Sequence, residues 1–187
     1  MIEGKKPTTT SKGKKPLNGY NGGIPTEMIS VINAGIEVEA FSSQIYLQMG
    51  AWCDVKGYTG AAKFFRKHSD EERTHMLHLY DFLADKNIVA VTPLIESPQI
   101  EYKDLMEVLD TALEHEFFVT SFYEDAATKA IDLPCNQSYQ LFQFFIKEQV
   151  EEESLYQTIV DKAEILSIGG LNGVALMELD EILEDLV

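Results

Sequence analysis

Residues 60–82 of the chain read GAAKFFRKHSDEERTHMLHLYDF. Apolar and polar residues in this stretch recur at steps of three and four, which is the spacing of one helical face. The face consists of Phe65, His68, Glu72, His75, Leu79 and Phe82. An acid and an imidazole are therefore expected to point toward the core of the protein among apolar side chains.

Three other segments show the same helical spacing, and each carries acidic residues in the middle of an otherwise apolar stripe. These acids are Glu39 on the first helix, Glu116 on the third, and Glu148 and Glu152 on the fourth. Helices that pack antiparallel in a bundle have their midpoints at one level. We therefore expect the acids to meet Glu72 and His75 inside the bundle.

Such a cluster of carboxylates needs cations. Removing an ionised carboxylate from water costs several kcal/mol, so several of them in one core would repel one another and open the bundle. Carboxylate oxygens with an imidazole suit a hard, redox-active ion, whereas thiolates would favour zinc or iron–sulfur clusters. The stripe residues therefore predict a site for two iron ions.

The composition indicates one acidic domain. The chain has 187 residues, of which 45% are hydrophobic, and no apolar run approaches the ~18 residues of a membrane span. The net charge is −16; residues 1–24 hold five Lys and one Glu, or +4, which leaves −20 for residues 25–187. We predict a flexible basic arm over 1–24 and a folded domain over 25–187 that repels nucleic acid and attracts cations.

The two cysteines give a hypothesis about the compartment. Cys53 and Cys135 lie far apart, without the paired spacing of a zinc site, and we interpret them as free thiols in a reducing cytoplasm. Residues 1–24 lack the apolar centre of a secretory signal. The sequence therefore favours a cytoplasmic protein.

The helical patterns predict an all-α fold, a four-helix bundle with helices over residues 26–54, 60–86, 103–131 and 134–166. We expect Thr26 to be the first N-cap and Pro134 to take the first helical position of the fourth helix. The loop over residues 87–102 is long enough to cross from one end of the bundle to the other, which would make the second and third helices parallel. A short apolar fifth helix over residues 171–186 is expected to dock on neighbouring subunits.

Several motifs together resemble the non-haem ferritins, the bacterial type especially. In order they are EAFSSQIY at 39–46, MGAW at 49–52, GAAKFF at 60–65, EERTHM at 71–76, LEHE at 113–116 and EQVEEE at 148–153. The resemblance covers residues 26–166. It implies a ferritin-like bundle with a long crossover, an intrasubunit ferroxidase centre, and a homo-oligomeric shell of 24 subunits that stores ferric mineral.

The resemblance also implies roles for individual residues. Glu39, Glu72 and His75 would hold the first iron, and Glu72 would bridge to a second iron held by Glu116 and Glu152, with Gln149 close by. A third, weaker iron site would use Glu71, Glu148, Glu151 and Glu152. Tyr46 matches the family's tyrosine beside the centre and would donate one electron while oxygen or hydrogen peroxide is reduced.

Two positions depart from related patterns. Symmetric di-iron proteins carry a second Glu-x-x-His on the fourth helix, but here Gln149 and Glu152 occupy the matching positions, so the second iron lacks an imidazole and should bind more weakly. Arg73 stands where bacterioferritins have a haem-ligating Met, so we expect no haem. We interpret His68 as a core residue one turn from the site, and His78 and His115 as exposed.

Two alternative functions remain open at this point. The first is a di-iron oxidase or peroxidase that keeps its iron, although such peroxidases normally bring a Cys-rich electron-transfer module that is missing here. The second is a DNA-protecting relative of ferritin that uses the Lys-rich arm. Those relatives build their iron site between subunits, whereas all the candidate ligands here fit one bundle.

Overall fold

The computed structural model describes residues 22–168 and 172–187. Within these ranges the chain forms five α-helices and no strand: α1 (Thr26–Lys56), α2 (Thr59–Asp85), α3 (Leu105–Asp132), α4 (Asn136–Leu166) and α5 (Gly173–Glu184). The all-α prediction is confirmed, and the helix bounds differ from the predicted ones by a few residues. None of the described helices is long and apolar enough to cross a membrane.

The helix ends have identifiable causes. Pro25, rather than Thr26, is the N-cap of α1, and its carbonyl oxygen accepts from the amide of Met28 at 3.0 Å. Gly57 ends α1 with φ of 90°, a left-handed conformation that glycine adopts without a steric penalty. Cys135 is the N-cap of α4, so Pro134 lies in the connection before the helix and not at its first position as expected.

The long connection between α2 and α3 runs beside α1. Near its start, the amide of Val91 donates to Asn33 in the first third of α1 at 2.7 Å. Near its end, the ring of Tyr102 packs edge-on against Trp52, close to the end of α1, at 5.6 Å. The connection from the end of α2 to the start of α3 therefore spans the length of the bundle. Helices α2 and α3 are parallel as a result, which confirms the predicted crossover.

The bundle interior consists of two apolar clusters separated by a polar layer. On α1, Ile36 belongs to one cluster and Ile45 to the other, with buried Glu39 between them. The same order recurs on each of the other long helices. The buried polar residues between the clusters include Glu72 on α2, Glu116 on α3 and Gln149 on α4.

The start of the folded domain includes Ile24, which is fully buried in the cluster with Ile36. Residues 1–21 of the predicted basic arm lie outside the described residues.

Helix α5 packs on its own chain, whereas we expected it to dock on neighbouring subunits. Its buried side chains are Ala175, Leu179 and Leu183, and the last two join the cluster that contains Trp52. The Asp180 carboxylate accepts from the amides of Gly60 at 3.1 Å and Ala61 at 2.8 Å, and so caps the start of α2. The apolar face of α5 predicted a partner, and that partner is the first turn of α2.

Gly60→Ala should release α5. A Cβ at residue 60 would lie 2.1 Å from the backbone oxygen of Asp180, a contact that neither backbone can relieve without moving. We expect a loss of about 1–3 kcal/mol in the free energy of unfolding, as in other overpacked cores, measured by urea denaturation. Gly173→Ala is the matched control because a Cβ there meets nothing within 4 Å. Equal stability of the two variants would contradict this account of α5 docking.

Candidate metal centre

The first candidate group is formed by Glu39 from α1 with Glu72 and His75 from α2. Their ligand atoms all lie within 4.8 Å of one another. The Nδ1 atom of His75 is 3.2 Å from Oε2 of Glu72 and 3.8 Å from Oε2 of Glu39. Glu72 and His75 come together because a spacing of three residues places both side chains on one face of α2.

Glu39 is held from one side only. The hydroxyl of Tyr123 donates to its Oε1 atom. Its Oε2 atom is buried and has no hydrogen-bond partner among the described residues. A buried carboxylate oxygen without a donor is energetically costly, and a cation is the kind of partner that would satisfy it.

Glu116 lies in the same layer and is fully buried. Tyr46 donates from its hydroxyl to Oε1, and Nε2 of Gln149 donates to Oε2 at 2.7 Å. Gln149 also donates to the backbone oxygen of Glu116 at 3.3 Å. The three predicted residues Tyr46, Glu116 and Gln149 are therefore in direct contact.

A second candidate group contains His68, Glu71 and Glu152, again with ligand atoms within 4.8 Å of one another. The Nδ1 atom of His68 is 3.5 Å from a carboxylate oxygen of each acid. His68 is buried, as predicted, but its ring faces these acids. Oε2 of Glu152 is buried and, within the described part of the chain, lacks a hydrogen-bond partner.

The structure does not bring Glu148 and Glu151 into either group. Both approach Lys147, whose Nζ atom is 3.8 Å from Oε1 of Glu148 and 3.1 Å from Oε1 of Glu151. Glu148 was predicted on the inward stripe of α4, but its side chain is 30% exposed and Gln149 takes the inward position. Their part in a third iron site remains a prediction.

Burial is the largest cause of the altered acidity of the layer. It raises the pKa of Glu39 and of Glu72 well above the ordinary value of 4.5, and the negative charge of Glu72 raises the pKa of Glu39 further. It also raises the pKa of Glu116, and it raises the pKa of Glu152 to about 7. In the described residues, no Lys or Arg forms an ion pair with these four acids. Protons or metal ions must therefore neutralise them.

Two tyrosines beside this layer are kept protonated. Burial, followed by the charge of Glu116, raises the pKa of Tyr46 well above 10.0. Burial and the charge of Glu39 do the same for Tyr123. No role was predicted for Tyr123 from the sequence; its position seven residues after Glu116, on the same helical face of α3, was the available signal.

Of the two remaining histidines, the prediction for His78 is confirmed and the prediction for His115 is wrong. His78 is exposed, as predicted, and stacks on Phe144 at 4.7 Å. His115 was predicted to be exposed but is buried, with Nε2 only 2.7 Å from the hydroxyl of Ser42 on α1. Burial lowers the pKa of His115 to about 4, so the ring is neutral near pH 7. His115 lies off the central stripe of α3 but on the side that packs against α1.

Comparison with known proteins agrees with this arrangement. A family model for the ferritin-like domain matches residues 29–166. A bacterial non-heme ferritin of Escherichia coli O6:H1 is 38% identical over 166 residues, which cover 87% of this chain and 97% of the relative. A probable bacterial non-heme ferritin-like protein of Haemophilus influenzae is 37% identical over 157 residues, which cover 84% and 94%.

Solved structures show the same likeness. The open pore ferritin of the archaeon Archaeoglobus fulgidus superposes with a TM-score of 0.82 at 27% identity, covering 86% of this chain and 97% of that one. The family match, the sequence identity and the bundle topology agree, and this chain belongs to the ferritin family.

Proposed function

We propose that the protein oxidises iron(II) at a dinuclear centre inside its helix bundle and stores the ferric product. The observation that carries the proposal is the polar layer itself. Four long helices each contribute buried polar groups to it. Its three buried acids and the partly buried Glu152 have no Lys or Arg partner among the described residues, and two of their oxygens lack hydrogen bonds. Iron(II) is both the ion that would neutralise these acids and the substrate.

In this proposal the first iron binds to Glu39, Glu72 and His75. The second binds to Glu116 and Glu152, and Glu72 bridges the two ions. Each iron(II) gives up one electron, and oxygen or hydrogen peroxide accepts them. Complete reduction of oxygen to water takes four electrons, two more than the pair of iron(II) ions supplies. Tyr46 would give one of these and an iron(II) ion at the third site the other, and the proton of the Tyr46 hydroxyl would pass to Glu116, which accepts its hydrogen bond.

The second iron is expected to bind more weakly than the first. Glu152 stands where symmetric di-iron proteins carry the second imidazole, and Gln149, whose Nε2 donates to Glu116, stands where they carry a carboxylate. A ferric ion that leaves easily suits storage better than an enzyme that retains its metal through many turnovers. Glu71, Glu148 and Glu151, with Glu152, are proposed to form a third iron site.

The wider setting follows from family membership. We propose a homo-oligomeric shell of 24 subunits in the cytoplasm, without haem, that encloses the mineral. Neither nucleic acid nor a membrane is proposed as a partner, because the domain over residues 25–187 is strongly acidic.

Iron retention tests storage against catalysis without storage. Metal-free protein is loaded in air with a large excess of iron(II) and then passed through a size-exclusion column, and the iron that co-elutes with protein is measured. We expect far more than about two iron ions per subunit, the capacity of a dinuclear site. Retention of only about two would favour the di-iron oxidase or peroxidase instead. Iron that elutes entirely free of protein would contradict both functions.

A further inference from the structure

Tyr123 gives the two oxygens of Glu39 different environments. The side chain of Tyr123 is fully buried, and its hydroxyl donates to Oε1 of Glu39. The other oxygen, Oε2, has no hydrogen-bond partner in the described residues and lies 3.8 Å from Nδ1 of His75. Only Oε2 is thus free to bind an ion that His75 and Glu72 also bind.

The position of the Tyr123 hydroxyl is fixed by packing. The ring stacks on Phe145 at 4.4 Å with an interplanar angle of 8°, and Phe122 packs edge-on against it at 5.1 Å. Gly35 on α1 faces the phenol, since a Cβ there would be in ordinary contact with the hydroxyl oxygen at 3.7 Å. A ring held between two helices in this way cannot follow Glu39 if the carboxylate rotates.

Glu116, the acid opposite, is held differently. Both of its oxygens accept hydrogen bonds, one from Tyr46 and one from Gln149. An ion that binds Glu116 must therefore share an oxygen that already accepts a hydrogen bond. Glu39, by contrast, already presents a bare oxygen while Tyr123 holds the other.

We propose that Tyr123 is a positioning residue that holds Glu39 as a ligand through one oxygen of the first metal ion. The inference rests on the proposed function, since it requires a metal ion between Glu39, Glu72 and His75. Hydrogen bonds to the oxygens of ligating carboxylates orient the ligand, and their loss typically costs ~10–100-fold in metal affinity. Fixing Glu39 in this way also leaves one coordination position of that ion open for the oxidant.

Tyr123→Phe isolates the hydroxyl, because the phenylalanine ring keeps the stack on Phe145. Cobalt(II) is the probe, since its visible absorption reports coordination number. In a titration of metal-free protein we expect the tightest cobalt(II) site of the variant to weaken by about 10-fold. We also expect its visible bands to change, because a released Glu39 can bind through both oxygens. The number of cobalt(II) ions bound per subunit should stay the same.

Tyr156→Phe is the matched control. Tyr156 is also fully buried and stacks on Tyr46 at 5.8 Å, but among the described residues its hydroxyl donates to none of the proposed iron ligands. This variant should bind cobalt(II) with the affinity and spectrum of the wild type. If Tyr123→Phe does so as well, or if it binds more weakly with an unchanged spectrum, the positioning role is wrong.

A further variant separates this inference from the proposed function. Glu39→Ala should lose the tight cobalt(II) site altogether. If the wild type binds no cobalt(II), or if Glu39→Ala binds it unchanged, the metal centre itself is absent and both proposals fall. If the wild type binds, Glu39→Ala does not, and Tyr123→Phe matches the wild type, the centre stands and only the role of Tyr123 is refuted.

Discussion

Glu72→Ala should slow the oxidation of iron(II) in air by about 100-fold or more, since loss of even a supporting group commonly costs ~10–100-fold at metal sites. The initial rate is followed by the absorbance of the ferric product after anaerobic iron(II) protein is mixed with oxygenated buffer. No ferric core should build up in the variant over the time in which the wild type completes its core.

The large effect is expected because Glu72 occupies the centre of the polar layer. It contacts His75 within its own helix, and its pKa is raised by burial and by the charges of Glu116, Glu152 and Glu71. Glu72 is therefore the acid common to both iron positions of the proposed centre. Removing it deprives each position of a ligand, whereas removing Glu39 or Glu116 would affect mainly one.

Asp81→Ala is a suitable control because Asp81 is an exposed acid on the same helix, more than two turns further along. It should oxidise iron(II) at the wild-type rate. Circular dichroism and size-exclusion elution should show that both variants fold and assemble as the wild type does. Equal oxidation rates in Glu72→Ala and the wild type would remove Glu72 from the centre.

The sequence was sufficient to predict the inward faces of α1, α2 and α3. On each of these helices, apolar residues at spacings of three and four flank one acidic position, and the acids at those positions, Glu39, Glu72 and Glu116, are buried as predicted. The crossover was predictable for a similar reason, since a loop of that length cannot be a tight turn. Helical spacing and loop length are local properties, and the sequence contains them directly.

Helix α4 shows where the same reasoning fails. Residues 147–153 are all polar except Val150, so the stripe through Glu148 and the stripe through Gln149 both satisfy spacings of three and four. The structure selects Gln149 because the larger buried side chains Phe142 and Tyr156 lie in line with it. Which of two equivalent registers faces inward depends on the neighbouring helices.

His115 and α5 depended on contacts that the sequence does not contain. The position of His115 off the central stripe of α3 indicated exposure, because the pattern does not reveal that α1 also covers the side of α3 that carries this ring. For α5 the apolar face was visible, but its partner was not. The Asp180 carboxylate accepts hydrogen bonds from the first amides of α2, which lie 119 or more positions away in the sequence.

The metal-free protein should become less stable as the pH rises from about 6.5 to 8. Burial raises the pKa values of Glu39 and Glu72 well above 4.5, and that of Glu152 to about 7, so the folded protein holds protons that the unfolded chain has already released. The stabilising effect of a raised carboxyl pKa is complete below 4.5 and is lost as the pH rises through the folded value.

The histidines define the lower limit of this range. Burial lowers the pKa values of His68 and His115 from 6.5 to about 4. Between these values the contribution of the two rings to stability increases with pH, whereas the contribution of the acids decreases. Above pH 6.5 both rings are neutral in the folded and the unfolded chain. For each proton that the folded acids hold in excess of the unfolded chain, the free energy of unfolding then falls by about 1.4 kcal/mol per unit rise in pH.

A bound metal ion should abolish this pH dependence and restore the stability that is lost at pH 8. A divalent ion replaces the protons of the buried acids and binds their deprotonated form. Cobalt(II) at about 100 times its dissociation constant should therefore add about 2.7 kcal/mol to the free energy of unfolding at pH 8. Urea unfolding at pH 6.5 and pH 8, with chelator and with cobalt(II), measures both effects at one protein concentration.

In metal-free Glu39→Gln the stability should depend less steeply on pH, because one buried acid has been removed without changing the shape of the site. If the metal-free wild type gained stability over this range, the four acids would not be held protonated in the bundle, and the electrostatic argument for bound iron would fail.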